Sequence, residues 1–284
     1  MRAAPRSDIL TNTGADRVKR VRSLARRPVR HRLGLFLAEG PQSVREAVLH
    51  RPDLVSDLYA TPAATERYPE IAGAAAAGGV PTHTVSEAVL AAMSETEAPQ
   101  GLLAVCRVPT ASLEAVLAQR PRLLCLLTHV RDPGNAGTVL RGADAAGADA
   151  VLVSDSSVDV LAPKVVRSSA GSLFHLPVVT GLEIAATIET LRAAGLRVLA
   201  ADGSGPGLLD DTDLQPPHAW VMGNEAWGLP EPVRALCDEV VRVPIYGRAE
   251  SLNLAMAATV CLYASARAQR GGGADARPGR RATA

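Results

Sequence analysis

The chain is 284 residues long, enough for about two domains with cores of their own at roughly 150 residues each. Its 47% hydrophobic and 21% charged residues exclude wholesale disorder, collagen and coiled coil, and its few aromatics (2 Trp, 4 Tyr, 2 Phe) argue against a nucleic-acid reader built on stacked aromatic platforms. The net charge of +1 conceals an asymmetry: residues 1–32 hold ten Lys and Arg against two acids, residues 267–284 five against one, and the middle 15 against 26.

From the N-terminus, Arg17, Lys19, Arg20, Arg22, Arg26, Arg27, Arg30 and Arg32 follow one another with no carboxylate between them. Residues 1–32 therefore read as a basic arm, and basic ends on an acidic body point to a polyphosphate partner, nucleic acid first. The stretch has no apolar core of a signal peptide, and the longest weakly polar run, Leu254 to Ala266, is too short to cross about 30 Å of hydrocarbon. The cysteines at 106, 125, 237 and 261 form no C-x-x-C pair. Zinc ribbons and a disulfide framework are thereby unsupported, and a reducing cytoplasm with no membrane association is expected.

Residues 33–108 predict a small α/β domain: a strand in FLAEG, a helix opened by Gly-Pro, a strand over 54–60, an Ala-rich helix over 63–77, a strand over 80–85, a helix from Ser86 and a closing strand in GLLAVCRVP. Residues 109–121, bracketed by prolines, form a linker with one short helix. From 122 onward, continuous apolar runs at 122–127, 149–153, 173–179, 197–201, 219–222 and 239–243 read as strands buried on both faces. Helical patterns near 138–147, 163–170, 182–194 and 230–237 lie between them, so the expected fold is α/β with a mostly parallel sheet. A last helix, from about Leu252 to Gln269, is apolar on nearly all sides and is expected to pack on the sheet and on a second subunit. The tail, 270–284, is expected to be disordered.

Ligands of open α/β sheets sit beyond the carboxyl ends of the strands, and three loops there differ from ordinary turns. In DPGNAGTVLRGADAAG, Asn135 or Gly137 is positioned to open a helix and Arg141 lies about one turn inside it. In GNEAWGLP, Gly223 and Gly228 permit close backbone approach, with Asn224 and Glu225 between them. In VPIYGRAESLNLAMAA, Ser251 is read as the helix cap, which leaves Asn253 without a structural reason. No metal cluster is visible in these loops, His129 stands alone, and the P-loop pattern is missing. GSGPG (203–207) opens no helix, which weakens a dinucleotide-binding reading.

These three motifs, in this order, resemble those of the SpoU/TrmH family, ribose 2′-O-methyltransferases of the SPOUT superfamily, over residues 122–269; the segment from FLAEGPQSVREAV to PQGLLAV resembles the family's substrate-binding domain. The motifs depart from the family pattern at Ala226 and Trp227, where a further glycine is frequent, and in the variable stretch 246–250. The resemblance implies a deep trefoil knot, an obligate homodimer, and S-adenosylmethionine held bent by Gly223, Val243 and Leu252, with Asn224, Gly228, Ser251 and Asn253 nearby. It further implies that Arg141 activates a ribose hydroxyl, arranged by Asn135, Ser251 and Asn253. A guanidinium stays protonated in proteins, so Arg141 is expected to hold a phosphate and stabilise the developing alkoxide, with Glu225 as a candidate proton acceptor. No metal is expected. Ribosomal RNA, 23S in particular, is the favoured substrate because the simplest transfer-RNA members lack the added domain. The alternatives are a transfer-RNA enzyme, a catalytically silent RNA-binding or ribosome-assembly protein on the same scaffold, and a nucleotide-dependent oxidoreductase.

Overall fold

A computed structural model describes residues 9–271. The chain opens with two short helices, α1 (Asp16–Ser23) and α2 (Arg27–Leu33), followed by β1 (Leu35–Glu39), α3 (Pro41–His50), β2 (Val55–Ala60), α4 (Pro62–Arg67), α5 (Pro69–Ala77), β3 (Thr82–Thr84), α6 (Glu87–Met93) and β4 (Leu102–Arg107). The four strands form one sheet in the order β1-β4-β2-β3, antiparallel except for β2 with β3. Alternation along the strands divides the core: Phe36, Leu58 and Ala104 face α3 and α5, whereas Leu37, Tyr59, Leu103 and Val105 face α1 and α6.

The basic N-terminal stretch is thus not a free arm. Val18, Val21 and Leu24 recur at helical spacing and are buried on the outer face of this sheet, which fixes α1. Its bases divide accordingly. Arg17, Lys19, Arg20, Arg22, Arg26 and Arg27 are exposed, but Arg30 is 3% exposed and spent on structure. Arg30 Nη2 lies 2.6 Å from Asp159 Oδ2, and its Nη1 donates to the carbonyls of Leu24 and Ala25 at 2.9 and 2.6 Å. The expectation that Arg30 contacts RNA is therefore corrected. Residues 1–8 of the expected arm, and the expected disordered tail from 272, lie outside the described residues; 270 and 271 belong to the last helix.

The short helix α7 (Leu113–Ala118) leads into the second unit: β5 (Leu123–Leu127), α8 (Pro133–Ala146), β6 (Ala150–Ser154), α9 (Pro163–Ser168), β7 (Val178–Leu182), α10 (Ile184–Ala193), β8 (Arg197–Ala201), β9 (Gly207–Leu208), β10 (His218–Met222), α11 (Glu231–Leu236), β11 (Glu239–Arg242) and α12 (Leu254–Gly271). Seven strands pair in the order β7-β6-β5-β10-β8-β11-β9, every pairing parallel. Every residue of β5, β6 and β10 is buried, since α8, α9 and α12 cover one face and α7, α10 and α11 the other. The apolar run 173–179 is not one strand. Residues 172–174 make a 3-10 turn after Gly171, Phe174 stacks on Phe36 of the first domain at 6.0 Å, and the strand starts only after Pro177. A short apolar run does not by itself distinguish a strand from a buried turn.

The two domains share a continuous apolar core and buried ionic ties: Arg30 to Asp159, and Arg167 Nη1 to Glu39 Oε2 at 2.9 Å. The four cysteines are free; burial pushes the Cys106, Cys125 and Cys261 thiols up to about 12, which keeps them as inert core residues. Among the described residues no helix is long and apolar enough to cross a membrane.

Candidate active site

The three loops singled out in the sequence meet at the carboxyl ends of β8, β10 and β11. The second and third, with the loop after β8, surround a cavity of about 540 Å³, and the first loop joins them outside its lining through side-chain hydrogen bonds. Its apolar wall comes from Ala201, Met222, Val241, Val243, Leu252 and Leu254, and its polar wall from Asp202, Asn224, Glu225 and Ser251 together with loop backbone. Gly223, Asn224, Gly228, Val243 and Leu252, expected on resemblance to hold a cofactor, all line it. Asn135, Asn253 and Arg141 do not.

Gly223 is a glycine for reasons of backbone contact, and Gly228 because it sits at φ +66° with the Asp202 carboxylate against it. A Cβ on Gly223 would lie 2.4 Å from the carbonyl carbon of Gly228, because Asn224 and Gly228 exchange two main-chain hydrogen bonds of 2.9 and 3.0 Å across the tight loop. Asn224 then works on both sides of that loop: its Nδ2 donates to the carbonyl of His129 at 2.7 Å and its Oδ1 accepts from the N–H of Ala226 at 2.8 Å. His129 sits at φ +54° with its Nδ1 buried and unpaired. Asp202, which the sequence reading passed over, braces the far side by accepting from the N–H groups of Ser204 (2.9 Å) and Leu229 (3.2 Å) and from Arg234 Nη1 (3.4 Å). Burial alone would raise its carboxyl, but the bonds from Ser204 and Leu229 and the Arg234 charge outweigh it and hold Asp202 below the ordinary carboxylate range. Its position at the end of a parallel strand was the available signal.

At the rim, a chain of side-chain hydrogen bonds links the three loops. The last helix starts two residues later than expected, and its cap is Asn253 rather than Ser251: Asn253 Oδ1 accepts from the N–H of Ala255 at 2.9 Å. That bond orients the amide, so Nδ2 donates to Asn135 Oδ1 at 3.0 Å. Asn135 is oriented in turn, and its Nδ2 donates to Glu225 Oε1 at 3.3 Å. Glu225 also accepts from the N–H groups of Arg131 (3.2 Å) and Asp132 (3.1 Å). Neither Asn135 nor Gly137 opens α8. Asp132 does, accepting from the N–H of Asn135 at 2.7 Å with Pro133 in the first turn, where the missing N–H costs nothing. Gly137 instead lets α8 approach α9, since a Cβ there would lie 2.5 Å from the carbonyl oxygen of Val165. Ser251 is exposed at the cavity wall. Arg141 is exposed on α8, with no ion pair among the described residues.

This lining of aliphatic side chains with the Asn224 amide, the Ser251 hydroxyl and the carboxylates of Asp202, Glu225 and Glu250 suits a ligand with an apolar body, hydrogen-bonding groups and positive charge, and fits a nucleoside carrying a sulfonium.

Residues 122–263 match the family model of the SpoU rRNA Methylase family, and residues 15–104 that of the MRM3-like substrate binding domain. The 23S rRNA (guanosine(2553)-2′-O)-methyltransferase RlmP of Bacillus subtilis (strain 168) is 34% identical over 247 residues, which cover 87% of this chain and 94% of the relative. Among solved structures, the AdoMet-bound rRNA methyltransferase from Sinorhizobium meliloti has a TM-score of 0.78 at 29% identity, with 91% of this chain and 96% of that chain covered. The SpoU methyltransferase AviRb from Streptomyces viridochromogenes, in complex with the cofactor AdoMet, has a TM-score of 0.76 at 32% identity, with 91% and 100% covered.

Proposed function

Because the chain belongs to the SpoU rRNA Methylase family, we propose that it transfers a methyl group from S-adenosylmethionine to a ribose 2′-hydroxyl of RNA, with 23S ribosomal RNA as substrate. The observation that carries the reading is the union of one cavity with an oriented amide rim, Asn253 to Asn135 to Glu225, built from three loops far apart in the chain.

S-adenosylmethionine, when bound, supplies a sulfonium methyl already activated for transfer. Gly223, Asn224, Gly228, Val243 and Leu252 would hold it, mostly through main-chain groups and aliphatic contact. The task left to the side chains is to set a ribose oxygen in line with the methyl and to ease loss of its proton. Asn135 and Asn253 have their amides pinned, so they present fixed polar atoms to the incoming ribose without reorganisation. Glu225 accepts hydrogen bonds from three donors, the N–H groups of Arg131 and Asp132 and the Asn135 amide, which suits it to positioning Asn135 and the first loop. The guanidinium of Arg141 clamps the neighbouring phosphate and stabilises the developing alkoxide.

Arg141 lies outside the cavity of its own chain, which favours service to a site on a second copy. The homodimer proposed here would use the outward stripe of α12, where Met256, Val260 and Tyr263 are exposed on one face. The loops into and out of β10 and β11 would form the trefoil knot, and the enzyme would act in the cytoplasm without a metal in the transfer step.

Arg141→Ala tests the assignment. Methyl incorporation into ribosomal RNA should fall by about 10²–10³-fold, the usual cost of one oxyanion-type donor, while calorimetric binding of S-adenosylmethionine is retained. An active variant would refute the role, and a wild-type protein that binds RNA but no S-adenosylmethionine would indicate a silent scaffold. The exposed bases of α1 and α2 have their own test. Deleting them would strip Val18, Val21 and Leu24 from the core, so Arg17, Lys19, Arg20, Arg22, Arg26 and Arg27 are better exchanged together for Gln. RNA affinity should drop and its salt dependence flatten by about 0.7 log units of slope per lost phosphate contact on single strands.

A further inference from the structure

Far from the cavity in sequence, at the junction between the domains, two histidines converge on one carboxylate. Glu46 and His50 lie one turn apart on α3, and His175 comes from the second domain, just after the 3-10 turn at 172–174. Glu46 Oε2 is 3.2 Å from His50 Nε2 and 3.0 Å from His175 Nε2, and the three donor atoms lie within 4.8 Å of one another. Ligand atoms about 2.0–2.1 Å from a tetrahedral zinc ion are about 3.3 Å apart. The two separations to Glu46 are near that spacing, and the two imidazole nitrogens, within 4.8 Å of each other, need only a small ring adjustment to share one ion. The His50 and His175 rings meet edge to face, centroids 4.8 Å apart.

Two further features go beyond chance proximity. His175 turns its other ring nitrogen, Nδ1, to Asp144 Oδ2 of α8 at 2.7 Å. A carboxylate behind an imidazole fixes the tautomer in which Nε2 offers its lone pair, the usual outer shell of a metal-bound histidine. The backbone also yields space to Glu46: Gly171, at φ +97°, passes so close that a Cβ would lie 2.2 Å from Glu46 Cγ. His50 is half-exposed, which leaves a path for an ion and room for water as a fourth ligand.

We propose that Glu46, His50 and His175 form a divalent transition-metal site, with Asp144 as the outer carboxylate, that fastens the N-terminal domain to the catalytic one. Two imidazoles and one carboxylate select zinc or its neighbours over magnesium or calcium, which prefer all-oxygen sets. The proposal stands independently of the methyl-transfer reading, because none of these residues borders the cavity.

The test uses the full chain, stripped with a chelator that is then removed. Zinc titrated calorimetrically should bind at one equivalent per chain and raise the thermal midpoint, and cobalt(II) should give the visible absorption of a tetrahedral site. His50→Ala removes a half-exposed ligand with little cost to folding. It should weaken zinc at least tenfold and abolish the cobalt band, and Asp144→Asn should weaken zinc about 10–100-fold. Failure of the wild type to bind zinc would overturn the proposal, as would equal binding by His50→Ala or an equal midpoint shift with magnesium.

Discussion

The cavity and its rim adjoin each other but are made of different material. The cavity is shaped by main chain and short aliphatic side chains, and its tightest point, Gly223 against Gly228, has no room for even one added carbon. The rim is made of side-chain amides, each oriented by the next: the N–H of Ala255 fixes Asn253, Asn253 fixes Asn135, and Asn135 meets Glu225. The contrast separates two tasks. Gripping a donor depends on the path of the backbone, whereas presenting an acceptor oxygen depends on a few replaceable polar atoms. Ligand affinity and turnover should therefore respond to different substitutions.

The largest effect is expected at the rim. Asn135→Ala deletes the middle of the relay and leaves Asn253 Nδ2 and Glu225 Oε1 each short of a partner. Its kcat for RNA methylation should fall by about 10²–10³-fold, the range for removal of a preorganised polar group, with S-adenosylmethionine affinity within a factor of a few of wild type. Calorimetry alongside single-turnover assays separates the two. A matched loss in both would mean that cavity and rim are one unit. The reverse pattern is expected for Gly223→Ala, whose Cβ would collide with the Gly228 carbonyl. Overpacking of about 1–3 kcal/mol should appear as a loss of donor affinity approaching 100-fold. Turnover at saturating donor should survive.

Much of this division is legible in the sequence, because the three motifs lie where strands end and the glycines mark close backbone approach. What stays hidden is which polar atom faces which. The cap of the last helix falls to Asn253 rather than Ser251, a choice set by where helical dihedrals begin, so the residue that looked structural is exposed and the one that looked unexplained has two structural bonds. The start of α8 is misplaced for a similar reason: Asp132 and Pro133 together make a better opening than any single residue downstream. In the N-terminal stretch, the density of charge masks Val18, Val21 and Leu24, which are enough to fold α1 onto the sheet. Nor does local sequence reveal that Arg30, among eight similar bases, meets Asp159 from 129 positions away.

A smaller effect should leave the split untouched and so sharpen it. Cavity and rim both hang from β10 and α12, which are tied at the opposite end of the strand, where Ser265 lies 2.7 Å from His218 Nε2 and accepts from Trp220 Nε1 at 2.8 Å. His218 Nδ1 lies 2.8 Å from the carbonyl of Pro216, an acceptor only, so the neutral ring donates there and its Nε2 is left as the acceptor facing the Ser265 hydroxyl. Burial, with the Arg197 and Arg122 charges, holds His218 below its ordinary value despite the opposing pull of the Pro216 carbonyl. The sign follows from proton binding. Once pH drops through about 6.5, the unfolded chain takes up a proton that the folded one refuses, so stability falls by up to about 1.4 kcal/mol per pH unit until the depressed folded value is reached. Above that window this group contributes no slope. Urea midpoints at falling pH should show the loss in the wild type and a shallower one in His218→Gln, whose amide can still reach both neighbours. Parallel curves would locate the acid sensitivity elsewhere. A change in donor affinity or kcat of the folded variant at neutral pH would mean that the tie between β10 and α12 reaches the site, and that the two regions are coupled through the sheet beneath them.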